Sequence, residues 1–172
     1  DFMRIVKSNY ESATAKGSLQ TKNYFYLERG PYDIASVMEE GVSAEPFHIK
    51  GLVIDMFDPS LPVLKEKIIP PGQQSLLYDL KRVKQKNIAT VLCAASRVYD
   101  EQRSGRQYSF ITKSPSNTNN VMRILLPAKP GSVITKDMEG KSVENNMDWD
   151  EASHTILLKF INSAAGIRVE IK

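Results

Sequence analysis

Apolar residues recur at every second position through most of this chain, and this period limits the possible folds more than any other feature of the sequence. Side chains of a β-strand alternate between two faces, so the period is typical of strands that bury one face. The stretch FHIKGLVIDMF alternates on both sides of Gly51, where the pattern slips by one residue. Because glycine tolerates the backbone of a β-bulge, we expect a bulge at this position.

Turn signals separate the alternating segments at intervals of roughly 8–15 residues. Examples are Gly30-Pro31 and Pro70-Pro71-Gly72. The sequence therefore predicts roughly ten to thirteen short strands, the first within FMRIVKSNY, and at most one short helix. QQSLLYDLKRV fits a strand or a helix, and the Pro-Gly turn before it favours the strand. The pattern indicates an all-β, antiparallel β-sandwich of Ig-like or jelly-roll-like type, with a closed barrel as the alternative.

The bulk properties narrow the class of protein. We interpret residues 1–172 as a single sandwich domain, with two small β-domains as the alternative. The chain begins DFMRIV without an initiating Met, which suggests a fragment of a longer chain. No stretch reaches the ~18 apolar residues of a membrane span. The net charge of +3 comes from scattered basic residues, so it does not indicate a nucleic-acid partner.

The single cysteine, Cys93, lies among apolar residues in TVLCAASRV. One cysteine cannot form a disulfide within the chain, so we expect the fold to depend on its hydrophobic core. Buried thiols of this kind behave as small hydrophobic side chains. A lone cysteine is compatible with the cytosol and with an exported bacterial domain.

The stretch MDWDEASHTILLKF is the most functionally suggestive part of the sequence, because it combines the only Trp with three carboxylates and a His. Asp150 to Ser153 has the composition of a turn, and His154 stands at the start of a strand in which we expect Ile156, Leu158 and Phe160 to face the core. With Asp148 or Glu151 as partner, His154 could serve as a general base, which makes a small hydrolase one hypothesis. A strand-end His with one hydrogen bond is the alternative.

Trp149 suggests a second kind of site. An exposed indole can stack on a sugar ring, and Asp148 and Asp150 could accept hydrogen bonds from its hydroxyl groups. The alternative is a Trp that plugs the end of the sandwich. No cofactor is predicted, but Ca²⁺ remains an alternative at Asp148 and Asp150, or at Asp55 and Asp58 before a proline turn.

A third group of polar and aromatic residues lies in KNYFYLERGPYD. Tyr24 and Tyr26 share one strand face, Phe25 and Leu27 share the other, and Tyr32 follows the Gly-Pro turn. Arg29 could pair with Asp33 or bind a ligand carboxylate as a fork. The predicted ligand-binding residues are thus Trp149, Asp148, Asp150, Tyr24, Tyr26, Tyr32 and Arg29.

Arg97 and Arg123 lie in apolar strands, where an inward guanidinium would need an acidic partner such as Asp55. Such a pair would form a charged ligand pocket, and solvated arginines are the alternative. The sequence contains no Gly-rich phosphate loop, no GxSxG and no HExxH. We therefore assign no catalytic residue and no metal ligand.

Two stretches resemble the ancillary β-sandwich domains of multidomain glycoside hydrolases and related exported glycan-processing proteins. They are IDMFDPSLPVLKEKIIPPGQQSLLYDL and MDWDEASHTILLKFINSAAGIRVEI. The matching features are Pro71-Gly72, Trp149-Asp150, Ser153 and the segment from Thr155 to Leu158. The resemblance carries over no catalytic residue.

The resemblance implies a non-catalytic accessory module of an exported carbohydrate-active protein, in an extracellular or periplasmic location. Its expected partner is a neighbouring catalytic or structural domain of the same chain, and its expected ligand, bound weakly, is a polysaccharide. An adhesion or protein-interaction sandwich remains the alternative, with the small hydrolase as a further one.

Overall fold

The computed structural model describes residues 2–14 and 17–172 and contains thirteen strands, all in antiparallel pairs. The elements are α1 (Phe2–Thr14), β1 (Tyr24–Arg29), β2 (Tyr32–Val37), β3 (Phe47–Asp55), β4 (Val63–Ile69), β5 (Gln74–Asp79), a 3₁₀ helix (Leu80–Arg82), β6 (Thr90–Ala94), β7 (Arg97–Ser104), β8 (Gln107–Lys113), β9 (Asn119–Leu125), β10 (Val133–Asp137), β11 (Asn145–Asp150), β12 (Thr155–Ile161) and β13 (Ile167–Ile171). The predicted all-β sandwich is confirmed. None of the sheets in the described part closes into a barrel.

Strands β1 to β5 form one curled sheet in the order β1-β2-β5-β3-β4. The predicted bulge at Gly51 is confirmed, because the β3–β4 register shifts between Lys50 and Val53 and Gly51 has a φ of +137°. The sheet curls so far that Tyr24 of β1 and Phe47 of β3 stack with ring centroids 4.0 Å apart, although two strands separate β1 from β3. The enclosed face buries Ala35, Val37, Ile49, Val53, Ile69 and Leu77.

The remaining strands form a two-sheet sandwich. One sheet has the order β11-β12-β9-β6, which we call the middle sheet, and the other has the order β10-β13-β8-β7. Their inner faces enclose a core of Tyr108, Phe110, Met122, Ile124, Leu126, Ile156, Leu158, Phe160, Ile167, Val169 and Ile171. The predicted inward row of Ile156, Leu158 and Phe160 is confirmed. Side chains alternate along each strand, so the period in the sequence marks this core directly.

A third apolar cluster joins the curled sheet to the outer face of the middle sheet. It contains Ile54, Leu61, Leu80, Leu92, Cys93 and Leu125. The middle sheet is therefore covered on both faces, which explains the continuous burial from Met122 to Leu126. Three sheets are thus stacked in layers, with the middle sheet shared by two apolar clusters.

The prediction of a first strand in FMRIVKSNY is wrong, because residues Phe2–Thr14 form a helix. Met3, Val6 and Tyr10 recur at helical spacing, and this period competes with the alternation in the same stretch. A helix satisfies its backbone hydrogen bonds internally, whereas a strand here would need a neighbour. No side chain of α1 is buried.

The ambiguous stretch QQSLLYDLKRV forms β5 followed by the short 3₁₀ helix, so the strand prediction is confirmed. Asp79 caps that helix by accepting a hydrogen bond from the backbone N–H of Lys81. Within the described residues, no helix has the length and apolar character that crossing a bilayer requires.

Candidate functional site

The Trp149 stretch forms the last residues of β11 and the turn into β12. Asp150 Oδ1 accepts hydrogen bonds from the backbone N–H of Ser153 at 2.7 Å and from Ser153 Oγ at 2.6 Å, as turn chemistry predicts. The half-buried Trp149 packs against the sandwich core, and its indole N–H donates to Glu151 Oε2 at 2.6 Å. The indole therefore packs against the core, and its only hydrogen-bond donor is used within the chain.

His154 is exposed and ends the turn with a φ of +53°. Its ring makes an edge contact with Trp149 at a centroid distance of 5.8 Å. Among the described residues, neither Asp148 nor Glu151 forms a hydrogen bond or ion pair with His154. A general base needs such an oriented partner, so this geometry gives the hydrolase hypothesis no support.

Arg123 is buried, with 5% of its surface exposed, and it links two layers of the fold. Its Nη2 and Nε atoms donate to the Leu61 carbonyl oxygen at 2.6 and 3.2 Å. Its Nη1 atom lies 3.4 Å from Thr155 Oγ1. Burial lowers the pKa of Arg123, while the nearby Asp150 and Asp148 carboxylates act in the opposite direction. The arginine thus holds the loop before β4 against the middle sheet.

The acidic partner predicted for an inward arginine is engaged elsewhere. Asp55 Oδ2 accepts from Lys67 Nζ at 2.6 Å, so it does not form a pocket with Arg123. Arg97 is exposed. The charged pocket envisaged from Arg97, Arg123 and Asp55 is therefore not formed.

Arg82 occupies the centre of a cluster of carboxylates that sequence inspection missed. Its Nη2 atom lies 2.8 Å from Glu28 Oε1 and 3.0 Å from Asp33 Oδ1, and its Nε atom lies 3.1 Å from Asp79 Oδ2. The Tyr26 hydroxyl lies 2.8 Å from the same Glu28 and Asp33 oxygens. Desolvation raises the pKa of Tyr26, and its hydrogen bonds to Asp33 and Glu28 add to the effect.

The predicted pairing of Arg29 with Asp33 is wrong. Asp33 lies opposite Glu28 and Arg29 lies opposite Tyr32 in the β1–β2 register, so Arg29 and Asp33 point to different faces. The predicted tyrosines also have ring partners within the chain. Tyr24 stacks on Phe47, Tyr26 packs at 5.3 Å from the same ring, and Tyr32 meets Tyr78 edge-on at 5.5 Å.

The predicted ligand-binding residues fall into two separate sets. Trp149, Asp148 and Asp150 lie on β11, at one edge of the middle sheet. Tyr24, Tyr26, Arg29 and Tyr32 lie on β1 and β2, in the curled sheet. Within residues 2–14 and 17–172, no ring contact, hydrogen bond or ion pair joins one set to the other.

At each of the two alternative positions for Ca²⁺, an aspartate accepts the hydrogen bonds of a turn. Asp58 Oδ1 accepts from the Ser60 backbone N–H and hydroxyl, and these hydrogen bonds lower the pKa of Asp58. Asp150 is engaged by Ser153 in the same manner. In the part of the chain that the structure describes, no three His, Cys, Asp or Glu side chains come together as a metal site.

A row of exposed apolar side chains lies at the open edge of the curled sheet. Phe25, Leu27 and Ile34 are 69%, 55% and 41% exposed. Leu27 and Ile34 are cross-strand partners, so these residues share one face of β1 and β2. We call these three residues the edge patch. Strand β1 pairs only with β2 among the described strands, so its other edge is open.

A groove of about 890 Å³ lies between the loop after β3 and the outer face of the middle sheet. Its polar lining includes Asn119, Asn146 and Lys159. The one aromatic side chain in the lining, Phe160, is buried. The groove therefore offers hydrogen-bonding groups but no exposed ring on which a sugar could stack.

No family model matches the chain, and no curated protein matches it. Among solved structures, the chain is similar to a mutant of the Flavobacterium johnsoniae GH31 dextranase FjDex31A in complex with isomaltotriose. The sequence identity is 13% and the TM-score is 0.40. The match covers 97% of this chain and 28% of the dextranase chain, so this chain spans a little more than a quarter of that protein's length.

Proposed function

We propose that this chain is a non-catalytic accessory module of an exported carbohydrate-active protein, and that it packs against a neighbouring domain of that protein through the edge patch. The exposure of Phe25, Leu27 and Ile34 on one face of an open sheet edge carries the proposal. A contiguous apolar surface of this kind is typical of an interaction site.

Exposure of the edge patch to water is unfavourable for two reasons. Unpaired backbone groups on β1 can recruit another strand, and native proteins normally cover or blunt such edges. The apolar side chains above them lose the free energy that burial would supply, about 1.5–3 kcal/mol for each large side chain. A neighbouring domain that covers this edge removes both costs.

The carbohydrate part of the proposal has its support in the sequence resemblance at Pro71-Gly72 and Trp149-Asp150. These residues lie at the β4–β5 turn and at the end of β11. Weak glycan binding by Trp149, Asp148, Asp150, Tyr24, Tyr26, Tyr32 and Arg29 stays a prediction, as does an extracellular or periplasmic location. Quenching of Trp149 emission by soluble polysaccharides tests the part that involves the indole.

Hydrogen–deuterium exchange on the full-length gene product tests the packing role. We expect the β1 segment, Tyr24–Arg29, to exchange slowly in the wild-type protein and rapidly in a Phe25→Ser/Leu27→Ser variant. A Met138→Ser/Ile161→Ser variant is the matched control, since it also removes two exposed apolar side chains but lies outside the curled sheet, in the turn after β10 and at the end of β12. Fast exchange of β1 in the wild-type protein, or a gene product with no further domain, contradicts the proposal.

The open edge of β1 also favours the alternative of an adhesion or protein-interaction sandwich. An extended peptide from another protein could add a strand to β1 and place apolar side chains on the edge patch. The same exchange experiment separates the alternatives. If the chain is an adhesion or protein-interaction sandwich, β1 exchanges rapidly in the full-length product and becomes protected only when the separate protein is added.

A further inference from the structure

Two hollows lie side by side at one end of the sandwich, where β6 and β12 begin and β9 ends. One has a volume of about 300 Å³ and the other of about 900 Å³, and both are lined by Asn87 and Pro127. Within the part of the chain that the structure describes, six cationic side chains line them, namely Lys81, Lys86, Arg103, Arg106, Lys129 and Lys172. The exposed His154 lines the smaller hollow as well.

Among the described residues, no Asp or Glu lines either hollow. This is a local excess of positive charge, since the chain as a whole has 23 Lys and Arg against 20 Asp and Glu. Lys81, Lys86, Arg106 and Lys129 form no ion pair with any described residue. The folded chain therefore gathers unpaired cations from segments that are far apart in sequence.

Two carboxylates that adjoin lining residues, by contact or in sequence, are already engaged. Glu101 Oε2 accepts from the Tyr108 hydroxyl and from Arg103 Nη2, the latter at 2.7 Å. Glu151, which adjoins the lining residue Ala152 in the chain, accepts from the Trp149 indole. Arg103 is balanced by Glu101, and Lys172 Nζ lies 3.9 Å from Glu170 Oε2, so four of the six cationic side chains have no acidic partner among the described residues. Concave surfaces lined by one sign of charge concentrate ligands of the opposite sign.

We propose that the two hollows form one binding site for an acidic polysaccharide, whose sugar rings carry carboxylate or sulfate groups. This inference rests on the proposed function, because that function supplies the carbohydrate context. Arg106 can hold a carboxylate or sulfate with a bidentate fork, and Lys86 and Lys129 act as point charges along the hollows. The sizes match pockets that hold small ligands or a few sugar rings.

The lining favours a polysaccharide over a nucleic acid. Apart from the imidazole of His154, the one aromatic ring among the described lining residues is that of Tyr108, which is 1% exposed and covered by Arg103, with Cζ 4.8 Å from the ring centroid. Single-stranded nucleic acids are bound through exposed aromatic rings as well as cations, and no exposed Phe, Tyr or Trp of the described chain lines these hollows. A duplex, about 20 Å across, is too wide to enter hollows of this volume.

Calorimetry on the full-length protein tests the site, with polygalacturonate as the carboxylated probe, dextran sulfate as the sulfated probe and dextran as the neutral one. We expect one or both acidic polymers to bind and dextran to bind more weakly. Raising NaCl from about 50 to about 300 mM should weaken binding of the acidic polymer by tenfold or more. The lysines and arginines of the site release counterions from the polymer when it binds, and a higher salt concentration opposes this release. The acidic polymer that binds more tightly shows whether the site prefers carboxylate or sulfate groups.

The variant Arg106→Glu/Lys129→Glu should weaken acidic-polymer binding by about tenfold or more. The control Lys65→Glu/Lys141→Glu makes the same change in net charge at two exposed lysines outside the hollows, and it should leave the affinity within about twofold.

Three results overturn the inference: no binding of either acidic polymer at low salt, equal loss of affinity in the two variants, or tighter binding of a DNA duplex than of both polymers. Each leaves the packing role untouched, because protection of β1 is measured separately. If β1 is not protected from exchange but the acidic polymer still binds, the proposed packing role is wrong and the proposed binding site stands.

Discussion

The sandwich and the curled sheet use their apolar residues in opposite ways. In the sandwich, Ile124, Ile156 and Leu158 are completely buried between two sheets. In the curled sheet, the enclosed face mixes apolar residues with Asp33, Asp55 and Asp79, and the edge strand leaves Phe25 exposed. The comparison indicates that the sandwich supplies most of the stability, whereas the curled sheet supplies the contact surface.

The largest effect should come from the sandwich core. Leu158→Ala removes a fully buried side chain and leaves a cavity, so we expect a loss of about 2–5 kcal/mol in the free energy of unfolding by urea. Leu27→Ala, the same change in the edge patch, should cost less than about 0.5 kcal/mol. Equal costs for the two substitutions would remove the contrast between the regions.

Arg123→Ala tests the connection between the regions. The substitution leaves the buried Leu61 carbonyl without its donors, and we expect a loss of about 2–3 kcal/mol. Arg97→Ala, at an exposed arginine of β7, should change the free energy of unfolding by no more than about 0.5 kcal/mol. A small effect of Arg123→Ala would mean that the apolar cluster alone holds the curled sheet in place.

Cys93, in the cluster between the two regions, should make the protein sensitive to alkaline pH. Burial raises the pKa of its thiol from 9.0 to about 11. The unfolded chain therefore loses this proton at lower pH than the folded chain, and stability that is complete below about pH 9 is lost as pH rises through about 11.

The loss should amount to about 2 kcal/mol, measured by urea unfolding between pH 8 and about 11. Cys93→Ala should show a shallower decline over the same range. An identical decline in the variant would assign the alkaline sensitivity to other groups, such as Tyr78, whose pKa is also raised by burial.

Arg82→Ala should have a smaller effect within the curled sheet. The substitution removes the cationic partner of the buried Asp33 carboxylate, but Arg82 is itself partly exposed to solvent and Tyr26 still donates to Asp33, so we expect a measurable loss in the free energy of unfolding that is smaller than the loss for Arg123→Ala. Arg29→Ala is the matched control on β1 and should cost less than about 0.5 kcal/mol. A larger loss for Arg29→Ala than for Arg82→Ala would instead indicate that Arg29 pairs with Asp33, as the sequence suggested.

The fold could be predicted well where one face of a strand is buried and the other is exposed. The alternation in HTILLKFI assigned Ile156, Leu158 and Phe160 to the core, and the slip at Gly51 located the bulge in β3. The first helix was missed because its alternating and helical periods overlap in one short stretch. Nothing local in such a stretch indicates whether a partner strand exists.

The functional features could be predicted only in part, because they depend on contacts between distant segments. The sequence placed Phe25 and Leu27 on one face of β1, but it could not reveal that no described element covers that face. Asp33 meets Arg82 rather than Arg29 because β2 and β5 pair and bring the 3₁₀ helix to this face. The basic residues are scattered in sequence, and only the fold gathers six of them around two hollows.

Hydroxyl-radical footprinting of the full-length protein tests most directly whether the edge patch is a contact surface. Phe57 is the internal reference, because it is 58% exposed and lies outside the edge patch, whereas Phe25 is 69% exposed in this chain. If a neighbouring domain covers the patch, Phe25 should be oxidised far more slowly than Phe57. Oxidation of Phe25 at the same rate as Phe57, or faster, would contradict the account.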